Sequence, residues 1–140
     1  HRGFFYELGK LKNVMITGDI GCYGLGGADP LNAKDTCVCM GASISMAHDA
    51  QKVFDKFGKK MRSIATIGDS TFFHTGINSL IGSIYNNTNS ITCILDNRVT
   101  AMTGHQDNPG TGSTLQGNET EMLNIETIVK SLGCNWDVIM

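Results

Sequence analysis

Apolar residues follow two different spacings in the first half of the chain. Helical spacing of Phe4, Phe5, Leu8 and Leu11 predicts an amphipathic helix over residues 1–12, and the apolar run 13–17 predicts a strand. A glycine-rich loop over 18–30 follows. Apolar and small residues then predict a helix over 37–57 that ends at Gly58. The positions expected on one side of this helix are Ala42, Met46, Val53 and Phe57.

The second half repeats this alternation. Runs 63–67 and 90–95 predict strands, and they flank a helix over 74–86. This helix carries apolar residues at i, i+3, i+4 and i+7, namely Ile77, Leu80, Ile81 and Ile84. A polar loop covers 96–120, and Asn124 is an N-cap for a short helix that ends at Gly133. The closing run 136–140 predicts a fourth strand.

Strands that alternate with helices, and that read as continuous apolar runs, predict a parallel sheet covered on both faces. The expected fold class is α/β, a three-layer α/β/α arrangement with a mostly parallel sheet. Residues 1–140 show no repeat and no linker, so we expect a single domain. The chain starts at His1 and stops on an apolar run, so we expect it to be a piece of a longer polypeptide.

Charge excludes two classes of partner. The chain carries 11 basic and 13 acidic residues without a run of either sign, so it has no electrostatic footprint for nucleic acid or anionic membrane. No apolar stretch reaches the roughly 18 residues of a membrane span. The cysteines number 5, an odd number without C-x-x-C spacing, which favours reduced thiols and a cytoplasmic location.

Polar loops follow three of the predicted strands: residues 18–22, 68–70 and 96–99. Because ligands of an open parallel sheet gather beyond the carboxyl ends of its strands, we expect these loops to meet at one edge. Neither G-x-G-x-x-G nor a Walker A sequence occurs, so both common phosphate-binding motifs are absent.

Asp69 and Asn97 offer a different way to hold a phosphate. Each follows a strand, and a carboxylate with an amide or backbone carbonyl supplies the hard oxygen ligands that suit Mg²⁺. A turn in which Asp69 only caps the following helix explains the same spacing, so both interpretations stay open on the residues alone.

Gly68-Asp69-Ser70, followed after a helix and a strand by Asp96-Asn97, resembles the G-D-G…N motif of thiamine diphosphate enzymes. Ser70 departs from the motif's last glycine. Together with G-D-I-G-C at 18–22, D-S-T-F-F-H at 69–74 and T-A-M-T-G-H-Q at 100–106, the chain resembles 2-oxoacid:ferredoxin oxidoreductases, and most closely the large subunit of the indolepyruvate type.

The resemblance implies roles for individual residues. Asp69 and Asn97 would bind Mg²⁺ through their side chains and Val99 through its carbonyl. His74 would contact the substrate, although an exposed cap is the alternative. The positions expected to contact the cofactor, thiamine diphosphate, are Asp19, Gly21, Cys22, Gly68, Asp69, Ser70, Asn97, Thr103 and Gly104.

The resemblance also implies partners. The substrates would be a 2-oxoacid and coenzyme A, ferredoxin would accept electrons, and a pyrimidine-binding domain and a smaller subunit would complete an oligomeric enzyme. That other domain would supply the glutamate that activates the cofactor, and [4Fe-4S] clusters would lie outside this chain. The alternatives are a non-oxidative thiamine diphosphate enzyme (a 2-oxoacid decarboxylase or an acetolactate-synthase-like carboligase), a scaffold that kept only the fold, and an unrelated doubly wound domain.

Overall fold

The computed structural model describes residues 1–134. Helices and strands alternate along them as the sequence predicts. In chain order they are α1 (Arg2–Leu8), β1 (Val14–Gly18), a 3₁₀ helix (Cys22–Gly27), β2 (Thr36–Cys37), α2 (Ala42–Lys56), β3 (Arg62–Gly68), α3 (Asp69–Thr71), a π-helical turn (Phe72–Gly76), α4 (Ile77–Tyr85), β4 (Ile91–Leu95) and α5 (Ile125–Ser131).

The described strands form one sheet in the order β2-β1-β3-β4, and every neighbouring pair is parallel. Gly18 at the end of β1 pairs with Thr66, and Gly68 at the end of β3 pairs with Leu95 at the end of β4. The carboxyl ends of these strands therefore lie along the same edge, as expected.

Apolar cores cover both faces of the sheet. On one face, Phe5 and Leu8 of α1 pack with strand residues that include Ile16 and Ile64. On the other face, α2, α4 and α5 pack over the alternate strand positions, Ala65 among them. Because successive side chains of a strand point to opposite faces, the nearly continuous apolar strands serve both cores. The predicted three-layer α/β class is confirmed.

The sequence analysis was wrong about the start and the buried face of α2. Residues 36–37 form the edge strand β2, and the helix begins only at Ala42. Its buried residues are Ser43, Ile44, Ala47 and Gln51. Val53 and Phe57, which were expected on the buried side, are exposed. Small Ser43 and Ala47 let the helix approach the sheet closely, and the Gln51 side chain accepts a hydrogen bond from Ser63 N at 2.8 Å.

Helical structure after β3 begins earlier than predicted, because α3 starts at Asp69 immediately beyond the strand. The prediction for α5 is confirmed, since Asn124 accepts a hydrogen bond from Thr127 N at 2.8 Å and Gly133 has a φ of +80°. The predicted fourth strand at 136–140 lies outside the described residues. Within the described part of the chain, no helix is long and apolar enough to cross a membrane.

Candidate functional site

Asp69 lies at the centre of the sheet edge where the polar loops meet. It is the first residue of α3, directly after β3, and only 3% of it is exposed. One carboxylate oxygen, Oδ2, accepts a hydrogen bond from Asn108 Nδ2 at 3.0 Å. The side chain is therefore buried with one oxygen already engaged.

Asn97 and Val99 approach the other carboxylate oxygen. One terminal atom of the Asn97 amide lies 3.2 Å from Asp69 Oδ1 and 2.9 Å from the Val99 carbonyl oxygen. If that atom is the amide nitrogen, it donates to both oxygens. If it is the amide oxygen, it accepts from Val99 N at 3.3 Å, and it lies beside two further oxygens, Asp69 Oδ1 and the Val99 carbonyl oxygen. The fold thus brings the predicted metal ligands together from two loops.

Burial raises the pKa of the Asp69 carboxyl above its ordinary value of 3.8. Hydrogen bonds from Asn108 and from the Ser70 backbone oppose this shift, and the nearby negative charge of Asp96 adds to it. Removing a carboxylate from water disfavours its charged form unless a positive charge compensates. The position is therefore one at which a cation would be stabilising.

Asp19 ties the end of β1 to the start of α2. It is fully buried, and Gly41 N donates to both of its carboxylate oxygens at 2.9 Å, while Ser43 N donates at 3.2 Å and Ile20 N at 2.8 Å. Gly41 has a φ of +85°, which favours glycine. Asp19 thus acts as a helix cap in the structure, and its predicted contact with the cofactor stays a prediction.

Tyr23 explains two of the predicted glycines. A Cβ added at Gly21 would lie 2.3 Å from the Tyr23 ring, and one at Gly68 would lie 2.5 Å from it. Tyr23 donates to the Ile20 carbonyl at 2.9 Å, and Lys34 Nζ lies 4.9 Å from the ring centroid. Burial raises the Tyr23 pKa to about 12. The ring joins the first loop to the end of β3.

The remaining predicted residues surround this edge in different states. Ser70 forms a hydrogen bond of 2.7 Å with Thr100, which joins α3 to the polar loop. Cys22 is exposed at the start of the 3₁₀ helix. Thr103 and Gly104 lie in an exposed turn, where the Thr103 hydroxyl donates to Gln106 Oε1.

His74 lies in the π-helical turn and is exposed. Among the described residues its side chain makes no hydrogen bond. The structure therefore gives no contact that assigns it a catalytic role, and that role stays a prediction.

The sequence analysis names no role for three residues that contact the site: Asn108, Tyr23 and Lys34. Asn108-Pro109-Gly110 reads as a turn, but nothing in that signal connects it to an aspartate 39 positions earlier. The tertiary structure alone makes this connection.

The described residues contain no cluster of three or more His, Cys, Asp or Glu side chains suited to a metal. Any further oxygen ligands of a cation at Asp69 would have to be amide and backbone oxygens, such as those of Asn97 and Val99. A cleft of about 400 Å³ lies at the opposite edge of the sheet, with Lys12, Lys59, Lys60 and Arg62 in its lining. It contains none of the predicted site residues.

Most of the chain matches a known protein family. Residues 19–139 match the family described as thiamine pyrophosphate enzyme, C-terminal TPP binding domain. The chain belongs to this family. The match includes all of the predicted site residues, from Asp19 to Gly104. Thiamine pyrophosphate is another name for thiamine diphosphate.

Relatives of this TPP-binding domain include indolepyruvate oxidoreductase subunit IorA from Pyrococcus abyssi, 43% identical over 100% of this chain, and that from Archaeoglobus fulgidus, 41% identical over 95%. The resemblance to the large subunit is thereby confirmed. The chain spans only 23% and 21% of the length of these proteins.

The fold of the TPP-binding domain also occurs in a solved structure, a 2-oxoglutarate:ferredoxin oxidoreductase from Magnetococcus marinus described with 2-oxoglutarate, coenzyme A and succinyl-CoA bound. The TM-score is 0.74 over 92% of this chain and 48% of that one, at 16% identity. At this identity the likeness concerns the fold.

Proposed function

We propose that this domain holds the diphosphate of thiamine diphosphate through Mg²⁺ in an indolepyruvate-type 2-oxoacid:ferredoxin oxidoreductase. The observation that carries the proposal is the approach of Asp69, Asn97 and Val99 at the carboxyl edge of the sheet. Membership of a TPP-binding family and the similarity to IorA support the cofactor and the class of reaction.

The distances fit the proposed metal. Mg²⁺ takes octahedral oxygen ligands at 2.0–2.1 Å, which separates adjacent ligand oxygens by about 3 Å. The Asn97 amide atom lies 2.9 Å from the Val99 oxygen and 3.2 Å from Asp69 Oδ1. A cation between them would favour the orientation in which Asn97 presents its oxygen. It would also compensate the buried charge of Asp69.

Each residue at the edge then has a defined task. Asp69 Oδ1, Asn97 Oδ1 and the Val99 carbonyl would bind the cation, and phosphate oxygens would complete its coordination shell. Gly68 and Ser70 lie beside this position, where backbone N–H groups could contact the diphosphate. Gly21, Cys22, Thr103 and Gly104 belong to the loops that would border the rest of the cofactor.

Thiamine diphosphate, when bound, supplies the reactive carbon that makes decarboxylation of a 2-oxoacid possible. The chain's own contribution would be to bind and orient the cofactor. His74 is the candidate for a hydrogen bond to the substrate carboxylate. The overall reaction would convert a 2-oxoacid and coenzyme A to an acyl-CoA and CO₂, with reduction of ferredoxin.

The remaining parts of such an enzyme would lie outside residues 1–140. They include a pyrimidine-binding domain, a smaller subunit and [4Fe-4S] clusters. An oligomeric assembly in the cytoplasm belongs to the same proposal.

The proposal is tested by calorimetric titration of the intact protein with thiamine diphosphate, with Mg²⁺ and with EDTA. We expect binding that needs the metal, and Asp69→Ala should abolish it. The control is Asp49→Ala, which removes a carboxylate whose side chain is 81% exposed on α2. Metal-independent binding, or equal binding by both variants, would refute the assignment.

A further inference from the structure

Asn108 is a buried polar residue in the polar loop after β4, where residues 102–107 and Pro109 are exposed. It is 9% exposed, whereas Asp107 and Pro109 on either side of it are exposed. The loop's own backbone holds the Asn108 side chain in place, because Asn108 Oδ1 accepts a hydrogen bond from Gly110 N at 2.8 Å. The Asn108 carbonyl accepts from the Thr111 hydroxyl at 2.9 Å. The amide is therefore fixed in orientation before it meets Asp69.

The nitrogen of the Asn108 amide faces Asp69 because the amide oxygen faces Gly110. Because Oδ1 already serves Gly110, Nδ2 is the atom left to donate to Asp69 Oδ2, at 3.0 Å. The terminal torsion of an aspartate is broad, so the orientation of the carboxylate depends on its hydrogen bonds, which come from Asn108 and from the Ser70 backbone. A bond to Oδ2 fixes that torsion and directs Oδ1 toward Asn97 and Val99.

A second bond holds the same loop to the same helical turn. Ser70 Oγ and Thr100 Oγ1 lie 2.7 Å apart, so the loop contacts α3 independently of Asn108. Loop attachment and carboxylate orientation are thus carried by different side chains. This separation allows the two effects to be measured apart.

We propose that Asn108 is a positioning residue, whose amide holds the Asp69 carboxylate in the orientation that presents Oδ1 to the cation. The inference rests on the proposed function, since the cation is the one assigned there. Asn108 itself would not bind the metal, because its oxygen is engaged by Gly110 and its nitrogen is a donor.

The test is titration of the intact protein with Mg²⁺ and separately with Ca²⁺, at a fixed concentration of thiamine diphosphate, for Asn108→Ala, Asn108→Leu, the loop-attachment variant Thr100→Val and the control Asn118→Ala, an exposed asparagine of the same loop. Loss of a residue that orients a metal ligand typically weakens metal affinity about 10–100-fold. We expect that loss for Mg²⁺ in both Asn108 variants and less than about a twofold change in Asn118→Ala.

The selectivity between the two metals distinguishes positioning from general damage. Mg²⁺ demands near-ideal octahedral geometry, whereas Ca²⁺ tolerates irregular ligands. A loosened carboxylate should therefore weaken Mg²⁺ binding more than Ca²⁺ binding, and the ratio of the two dissociation constants should change in the Asn108 variants only. Thermal unfolding midpoints would be recorded alongside, and Asn108→Leu keeps the number and branching of the side-chain heavy atoms in case Asn108→Ala folds poorly.

The outcomes separate the inference from the function on which it rests. If the unaltered protein shows no metal-dependent binding, the proposed function fails and the inference with it. If the unaltered protein binds and both Asn108 variants bind Mg²⁺ equally well, only the inference is overturned. Equal weakening in Asn118→Ala, an unchanged metal ratio in the Asn108 variants, or failure of both Asn108 variants to fold would also overturn it, because each of these results would mean that Asn108 supports the loop and does not orient the carboxylate.

Discussion

Asp69 combines two opposing physical effects at the scale of a single residue. Its position at the first turn of α3, with a donor from Asn108, favours a carboxylate, while its burial and the neighbouring Asp96 raise its pKa. A raised carboxyl pKa means that the ionised form costs free energy in the folded protein. In the proposed function, a bound cation would compensate this cost.

Asp69→Asn should stabilise the metal-free protein at pH 7. The folded-state pKa of Asp69 lies above the ordinary value of 3.8, so its favourable contribution is complete below that pH and is lost as pH rises through the folded-state pKa. Urea unfolding in EDTA should give a higher midpoint for the variant at pH 7 and a smaller difference near pH 4. A lower midpoint at pH 7 would show that the hydrogen bonds of the carboxylate outweigh its burial.

The five thiols should separate into two reactivity classes. Cys22, Cys37 and Cys39 are exposed, whereas burial raises the pKa of Cys93 to about 11 and raises that of Cys134. Since the thiolate is the reactive form, the exposed thiols should be alkylated first at pH 8, as read by mass spectrometry. Thiamine diphosphate with Mg²⁺ should protect Cys22 if the predicted contact exists. Labelling of Cys93 as fast as Cys22 would contradict the described burial.

At the scale of elements, the site depends on how β1 and β3 connect to their helices. Asp19 receives the N–H groups of Gly41 and Ser43 and so fixes the start of α2 over the sheet. Tyr23 packs against both Gly21 and Gly68, which joins the loop after β1 to the end of β3. These contacts place the loops that border the candidate cation position.

Asp19→Ala should destabilise the protein strongly. Loss of a helix cap costs about 1–2 kcal/mol, and each buried N–H left without a partner adds about 1–3 kcal/mol, so we expect about 2–4 kcal/mol in urea unfolding. Asp19→Asn keeps an acceptor oxygen and should lose less. The matched control is Asp29→Ala, because Asp29 is exposed. An effect no larger than that of the control would mean that α2 does not need this cap.

At the scale of the whole molecule, the chain matches only part of the length of its relatives. The chain covers 23% of the IorA protein from Pyrococcus abyssi. In the proposed function, the glutamate that activates the cofactor would come from another domain, whereas the glutamates of this chain lie in α1 or after residue 118. The proposed function therefore assigns cofactor binding to this domain and activation of the cofactor to another.

The isolated 140-residue chain should consequently bind thiamine diphosphate weakly, in a manner that depends on Mg²⁺, and should reduce no ferredoxin. Calorimetry would measure the binding, and a spectroscopic assay with a 2-oxoacid and coenzyme A would measure turnover. Adding the remaining parts of the protein should restore turnover. Robust activity of the isolated chain would contradict this division of labour.

Much of the architecture could be read from local pattern. The local signals are the apolar runs that predict strands, the Asn124 cap that predicts a helix, and the acidic or amide residues that follow strand ends. Since parallel strands have their carboxyl ends at one edge of the sheet, these signals also predict which residues lie at that edge. The start of α2 was misplaced because strand Thr36–Cys37 has only two residues, too few for a periodic signal. The prediction of its buried face was wrong because polar Gln51 is buried, where it accepts a hydrogen bond from Ser63 N. The pattern of apolar residues does not indicate this contact.

The sequence by itself determined the fold class and the position of Asp69 and Asn97 just after two strands, because both follow from residue type and order along the chain. The tertiary structure alone decided which partner each buried polar atom meets. In the folded chain, the Asp19 carboxylate accepts hydrogen bonds from the start of α2, and the Tyr23 ring packs against two glycines. Asn108 donates a hydrogen bond to Asp69, which lies 39 positions earlier. Hydrogen bonds between distant segments depend on packing in three dimensions, and local spacing carries no record of them.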